Sequence, residues 1–427
     1  MHNALAASAV LPHHETQSGV VDLRSRLHVC SLDERQAWEA LQNELLQALQ
    51  LHSHEMHIDC ETECLKIRTN TLSGSIETRL AADNRLIQAL RLLEQQPWSN
   101  NAKAIHGRAW FLTRLQERDH FYQLDHIQSS SGSAYTLRLL YDAQNPLPQL
   151  DQLFTLRGQS NCLRERLNQT DGLILLADVD RVRRVRTARA IAQYMTSPNR
   201  RILLSETTCH PLVPGINQLT LPLEANSEHH LAWQQACNMS YDLIIALEIT
   251  HDPVSLTRLA TENCKVVQGV CANNASKALA QLLATGTRPE AVARALTSII
   301  IQHPVALACE RCKRSANISH ELNNWIARKN PMQPDAINEW LHERLSDSFV
   351  QTEGCDQCNQ TGVGQVILIA ECVDLSRDIQ DALYDGDIRY AIDNLVSSDQ
   401  LPSQLIKLSR NGKITIDQAI NRLNVYH

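Results

Sequence analysis

Four short runs of apolar residues limit what this chain can fold into more than any other feature. GLILLA (172–177), RILLSE (201–206), YDLIIALE (241–248) and CKVVQGV (264–270) are apolar almost throughout instead of alternating. Stretches of helical period lie between them, the first from about Val182 to Met195. A strand that is apolar on both sides must be covered on both. The pattern therefore calls for a largely parallel sheet packed between helices, an α/β core.

The chain ahead of this core follows a different period. HEMHIDCETECLKIRTN alternates at period two with a turn in its middle, as a half-buried hairpin does. Residues 81–93 are helical, and 109–140 read as short strands ending in YTLRLLYD. This is a small α+β domain over 51–145. Residues 1–50 read as a flexible leader and a short helix from Asp33 to Leu51, with Trp38, Leu41, Leu45, Leu46 and Leu49 at helical spacing and Asp33 as its cap. Pro146 and Pro148 mark the linker into the α/β core, which extends over 146–300; residues 301–427 read as a tetra-cysteine region and C-terminal helices, mostly helical from Cys309 onward and interrupted by a second cysteine pair.

With 43% apolar residues in 427, the chain can bury several cores, and its formal charge of −7 speaks against a uniformly basic nucleic-acid binder. No apolar run reaches the length of a membrane span. The N-terminal MHNALAASAVLPHH lacks the basic segment of a signal peptide, so a cytoplasmic protein is expected. Thirteen cysteines are scattered, apart from two pairs, Cys309-Glu-Arg-Cys312 and Cys355-Asp-Gln-Cys358, separated by 42 residues. Four thiolates at this spacing suit a structural tetrahedral Zn²⁺ site, with unliganded or redox-active thiols as the alternative. The intervening segment is expected to form a helical insert.

From these cysteines outward the chain resembles the ATPases of type II secretion and type IV pilus assembly. TRPEAVARALTSIIIQHPVALACERC resembles that family's helix leading into its first cysteine pair, and GCDQCNQTGVGQVILIAE its second, with Gly354, Thr361, Gly362 and Glu371 in matching places. SQLIKLSRNGKITIDQAINRL resembles its C-terminal helices, PGINQLTLP a loop of its nucleotide domain, and TDGLILLA the strand before its phosphate loop. SHEMHIDCETECLKIRTN and AYTLRLL resemble strands of its preceding domain. The resemblance implies a PAS-like N-terminal domain, a RecA-like nucleotide core, and a zinc-knuckle helical C-terminal region.

Measured against that family, the chemistry is missing. A phosphate loop needs G-x-x-x-x-G-K-[ST], with glycines that let backbone N–H groups wrap the phosphates, a lysine for the β/γ oxygens and a hydroxyl for Mg²⁺. Gly-Lys-Ser and Gly-Lys-Thr are both absent. After GLILLA stand Asp178, Val179, Asp180, Arg181, Val182 and Arg183, with Arg184 in the lysine place and Val185 in the hydroxyl place. Arg is no substitute for a compact ammonium, and valine ligates nothing. The resemblance puts Glu206 in an acidic box otherwise lost, with Thr207 and His210 at other acidic places. It puts Glu248 in the Walker B strand beside Leu247, Thr250 and His251, and Cys271 and Asn274 in the histidine box. Arg68 keeps a motif-like place in the N-terminal domain, while Gln123 stands where a nucleotide-reaching arginine is expected. By themselves, Glu206 and Glu248 read as relics or ion-pair partners, Cys271 as a core thiol, and Arg181, Arg183, Arg184, Arg186 and Arg189 as a solvated helix face or an anion site.

The expected function is thus a pseudo-ATPase: a structural or regulatory subunit or paralogue at the inner-membrane platform of such a motor. It would carry structural zinc without ATP/Mg and partner active secretion or pilus ATPase subunits and platform proteins in a homo- or hetero-hexamer. The competing readings are a diverged working ATPase, with Arg184 replacing lysine and Glu248 activating water, and a zinc-dependent nucleic-acid-binding module.

Overall fold

The computed structural model describes residues 20–23, 30–51, 53, 55–60, 64–71, 74–81, 84–94, 106–129, 132–142, 149–154, 156, 159–206, 213–220, 227–247, 252–262, 264–316, 349–395 and 401–426. The first half is built from β1 (Val20–Asp22), α1 (Leu32–Gln50), β2 (Glu55–Cys60), β3 (Cys64–Thr71), β4 (Gly74–Ala81), α2 (Asn84–Glu94), β5 (His106–Leu115), β6 (Arg118–Ser129) and β7 (Gly132–Asp142). Its strands form one seven-stranded sheet in the order β1-β5-β6-β7-β2-β3-β4, antiparallel except where β1 joins β5. Period-two alternation puts Met56, Ile58, Leu65, Ile67, Phe111, Leu124, Tyr135 and Leu137 in one core with Trp38, Leu41 and Leu45 of α1 and Leu86, Leu90 and Leu93 of α2. Residues 20–22 and 32–50, read from the sequence as leader and short helix, share this core. The cap of α1 is Ser31, not Asp33. Its hydroxyl accepts from Glu34 N at 3.3 Å while the Glu34 carboxylate accepts from Ser31 N at 3.0 Å, a reciprocal capping box.

The second half contains α3 (Gln159–Leu167), β8 (Gly172–Ala177), α4 (Arg181–Met195), β9 (Ile202–Glu206), β10 (Asn217–Thr220), α5 (Ser227–Cys237), β11 (Leu243–Ala246), α6 (Pro253–Leu259), β12 (Lys265–Val270), α7 (Ala275–Ala284), α8 (Pro289–Ala295) and β13 (Leu296–Ala308). The chain continues through β14 (Lys313–Ser315), β15 (Val350–Thr352), β16 (Val363–Asp374), α9 (Arg377–Tyr384), α10 (Ile388–Asp393), α11 (Leu401–Arg410) and α12 (Ile416–Tyr426). The sheet order is β10-β9-β11-β12-β8-β13-β16; six strands are parallel, and β16 closes the edge antiparallel to β13. The four apolar runs are β8, β9, β11 and β12. One face packs Leu173, Ile244 and Val266 under Trp233, Leu256, Leu279, Val292 and Leu383. The other packs Ile174, Ile245 and Val267 under Leu163, Leu167, Val185 and Ile191. Each large side chain so buried contributes roughly 1.5–3 kcal/mol, which is why both faces need helices.

One expectation from the sequence is corrected here. TRPEAVARALTSIIIQHPVALA is helical only over Pro289–Ala295 and then becomes the thirteen-residue strand β13. The consecutive Ile299, Ile300 and Ile301, all buried, are β-branched side chains stiff at χ1, which favours a strand over a helix. Among the described residues after 300, the end of β13 and the long core strand β16 precede the four helices α9 to α12. The helical insert expected between the cysteine pairs falls largely at 317–348, outside the described residues.

The outer edge of β16 is closed by a side chain. Gln159 of α3 offers its carboxamide to Ala370 like a short length of strand: Nε2 donates to the Ala370 carbonyl at 2.6 Å, and Oε1 accepts from Ala370 N at 3.0 Å. Gln404 of α11 donates to the same carbonyl at 2.9 Å. Nearby, buried His303 of β13 lies 2.9 Å from Glu371 of β16, whose other oxygen accepts from Leu401 N at the start of α11.

Two tests follow from this packing. A Cβ on Gly269 of β12 would fall 2.2 Å from the Leu247 carbonyl oxygen, a backbone atom that cannot swing aside. Gly269→Ala is expected to destabilise by about 1–3 kcal/mol, read as a lower urea midpoint at unchanged m-value. Lys265 is buried with its ammonium donating to the Asp171 carbonyl, and burial brings its pKa down to about 8. The charged form is therefore penalised in the fold, and stability should rise as pH climbs from about 8 toward the ordinary lysine value of about 10.4. Denaturation across that range should show a smaller rise in Lys265→Met than in the parent.

Candidate functional site

In an open parallel sheet, ligands bind outside the carboxyl ends of the strands. At the carboxyl end of β8 only Asp178, Val179 and Asp180 separate Ala177 from the first residue of α4. The phosphate-loop motif needs glycines among the six residues ahead of its lysine; here the six ahead of Arg184, Asp178 to Arg183, contain none, and the last three already belong to α4. Asp180 caps α4, its Oδ1 accepting from Val182 N at 2.7 Å. Asp178 is 1% exposed, and its Oδ1 accepts from Asp180 N at 2.8 Å. A buried carboxylate requires a partner, and Arg183 provides one. Its Nε and Nη2 donate to the two oxygens of Asp178, each at 2.8 Å, while its Nη1 donates to Asp180 at 2.7 Å. Burial opposes the charge on Arg183, but the bonds and charges of Asp178 and Asp180 outweigh it, leaving its pKa raised.

Arg184 does not reach outward as a phosphate-binding lysine would. It is buried, and its Nη1 donates to the Asp178 carbonyl. Val185 is buried in the core beneath the sheet. Instead of forming a solvated face, Arg183, Arg184 and Arg189 turn inward. Arg189 lies 3.2 and 3.3 Å from the carboxylate of Glu206 at the end of β9, both groups buried. Burial pushes the Glu206 carboxyl up, with Arg189 opposing it. Arg422 of α12 also belongs here: burial, then the neighbouring Arg183 charge, bring it down to about 10, with Asp178 opposing. Its position near the C-terminus gave no motif or periodicity by which to place it beside β8.

Other expected positions have local roles. Cys271 is exposed, not a core thiol, with Sγ 3.8 Å from the Val179 carbonyl oxygen. Asn274 caps α7, accepting from Lys277 N at 2.8 Å. Leu247 is buried. Arg68 makes a surface ion pair with Glu77 at 3.6 Å. Gln123 is fully buried and donates to Asp125 at 2.7 Å; Asp125 is also bound by Arg108 and Arg138, each at 2.5 Å. Glu248, Thr207, His210, Thr250 and His251 lie outside the described residues.

The cysteine pairs converge because β13 and β16 pair: Cys309 directly follows β13, and the second pair precedes β16, where Ala308 stands opposite Val363. The four sulfurs of Cys309, Cys312, Cys355 and Cys358 lie within 4.8 Å of one another, a set able to hold a metal ion. Cys309–Cys355 and Cys312–Cys358 are each 3.8 Å apart, and Cys355–Cys358 is 3.6 Å. Backbone N–H groups of Cys355 and Gly362 donate to Cys358 Sγ at 3.2 and 3.3 Å. Gly362 can do so at φ +71°, where a Cβ would strike Thr352 Oγ1 at 2.3 Å.

The family described as Type II/IV secretion system protein matches residues 31–421. A "Type IV pilus assembly ATPase PilB" of Thermus thermophilus is 20% identical over 361 residues, 83% of this chain and 39% of that protein; the chain thus spans about two fifths of this relative's length. A "Putative type II secretion system protein E" of Escherichia coli is 21% identical over 82% of this chain and 69% of that protein. An X-ray structure of the Legionella pneumophila ATPase DotB matches with a TM-score of 0.57 at 11% identity, covering 89% of this chain and 94% of its own. A crystal structure of the pilus retraction motor PilT with bound ADP matches with a TM-score of 0.53 at 13% identity, covering 89% and 96%. Among the described residues no helix is long and apolar enough to cross a membrane. A match over most of the chain, with the same architecture in solved structures, makes this chain a member of the type II/IV secretion system protein family.

Proposed function

We propose that this chain is a non-hydrolysing member of its family, a pseudo-ATPase that serves a secretion or pilus motor as a structural or regulatory subunit. The observation that carries this reading is the three-residue connection from β8 to α4. Where a phosphate loop would present unpaired backbone amides and a lysine, this chain presents two carboxylates, and Arg183 is already committed to both. A triphosphate arriving there meets carboxylates already bound to Arg183 and a capped helix. Such a subunit acts at the cytoplasmic face of the inner-membrane platform, in a homo- or hetero-hexamer with working motor subunits.

Titrating the full chain with ATP and a non-hydrolysable analogue, with and without Mg²⁺, tests this directly. No binding at millimolar nucleotide and no phosphate release are expected. Mg²⁺-dependent binding with turnover that Glu248→Gln abolishes would instead establish a working ATPase.

The four cysteines would hold structural zinc in this reading. A Zn–S bond of about 2.3 Å in a tetrahedron gives sulfur–sulfur edges of about 3.8 Å, and Cys309–Cys355 and Cys312–Cys358 are each 3.8 Å apart. Four protein thiolates leave no open coordination position, so zinc here supplies a staple rather than chemistry. Metal analysis should give one zinc per chain, absent in Cys309→Ser. Removing it with a strong chelator should lower the melting temperature, reversibly on adding zinc back.

A further inference from the structure

Helix α3 lies along β16 as a ladder of three rungs. On the helix, Gln159, Cys162 and Arg166 stand at i, i+3 and i+7 and share one face; on the strand, Ala370, Cys372 and Asp374 stand at i, i+2 and i+4. The first rung is the Gln159 carboxamide on both backbone groups of Ala370. The last is the ion pair of Arg166 with Asp374. The helical span between these rungs is about 10.5 Å and the strand span about 13 Å, so the two tracks keep pace. The middle rung is then Cys162 facing Cys372. Cys372 packs against the cluster that holds Leu163 and Leu167 of the same helix, and both thiols are half-buried.

We propose that Cys162 and Cys372 are a dithiol modification site, which a low-molecular-weight disulfide converts reversibly into an intramolecular disulfide fastening α3 to the edge strand. In the first step the Cys162 thiolate attacks one sulfur of the reagent's S–S bond, which breaks and releases one thiol. In the second, the Cys372 sulfur attacks the Cys162 sulfur of the mixed disulfide, and the second reagent thiol leaves. The protein gives up two electrons and two protons, and the reagent disulfide becomes two thiols. The hydrogen bond between the pair favours this order: it lowers the Cys162 thiol and raises that of Cys372. Once Cys162 is in the mixed disulfide its thiolate no longer holds up the Cys372 proton. The site is separate from the four-cysteine cluster, and it stands whether or not the chain hydrolyses ATP.

The test is to incubate the purified, metal-loaded full chain with oxidised glutathione, block remaining thiols with iodoacetamide, and map peptides under non-reducing conditions. A cross-linked pair carrying Cys162 and Cys372 is expected, lost on adding dithiothreitol and absent in Cys162→Ser. The Cys372→Ser protein should retain glutathione on Cys162, because the resolving sulfur is gone. Exposed Cys271 reports that the reagents reached the protein. Free, fully alkylated Cys162 and Cys372 after oxidation would overturn the proposal, as would a stable glutathione adduct on Cys162 in the parent protein.

Discussion

The antiparallel pairing of β13 with β16 carries much of the second half of the molecule. Its register runs from Ser298 opposite Asp374 to Ala308 opposite Val363, spanning nearly the full length of both strands. On one side β13 extends the parallel sheet through β8. At one end the pairing gathers four sulfurs, and across the middle it sets His303 against Glu371 in a buried contact that also receives the first amide of α11. A slip of one residue would turn Glu371 to the other face of the sheet and pull the cysteine turns apart.

The β8–α4 connection shows how a binding site can be closed without being filled by bulk. A helix N-terminus bears unpaired amides and a partial positive charge, and both attract anions. Here Asp180 satisfies an amide directly, Asp178 holds the turn, and Arg183 bonds to both acids. The arrangement is self-contained, since each charge has its counterpart within a few residues. Glu206 and Arg189 form a second buried pair further along α4. Buried pairs of this kind contribute little net stability, but removing one partner costs about 3–5 kcal/mol because the other is left charged and dry. Once such a set is in place, single changes back toward a phosphate loop are strongly disfavoured.

Much of this was legible in the residues, for reasons that differ from place to place. The four apolar runs became β8, β9, β11 and β12 because nothing but a doubly covered strand accommodates them. The cysteine pairs were legible from spacing, but their meeting depended on β13 and β16. The first of these was hidden by the helix-forming PEAVARA just ahead of it, the second by the turn residues before it. Among the arginines of α4, sequence placed Arg184 at the lysine position. Which guanidinium turns inward depends on how the helix is rotated over the sheet, and that rotation put Arg183 on the acids. Arg422 and Cys162 lie far in sequence from the residues they meet, so local pattern could not find them.

The carboxamide of Gln159 has a consequence at a larger scale. A sheet edge is the place where one polypeptide can add itself to another, strand by strand, and β16 would offer a long one. At Ala370 both backbone groups of that edge are already engaged by a side chain from the same molecule, under cover of α3 and α11. Copies of this chain therefore cannot zip together along β16 without first breaking a buried contact. Association at this face has to be made by side chains on the helices, which can be specific and reversible, rather than by an open-ended backbone ladder.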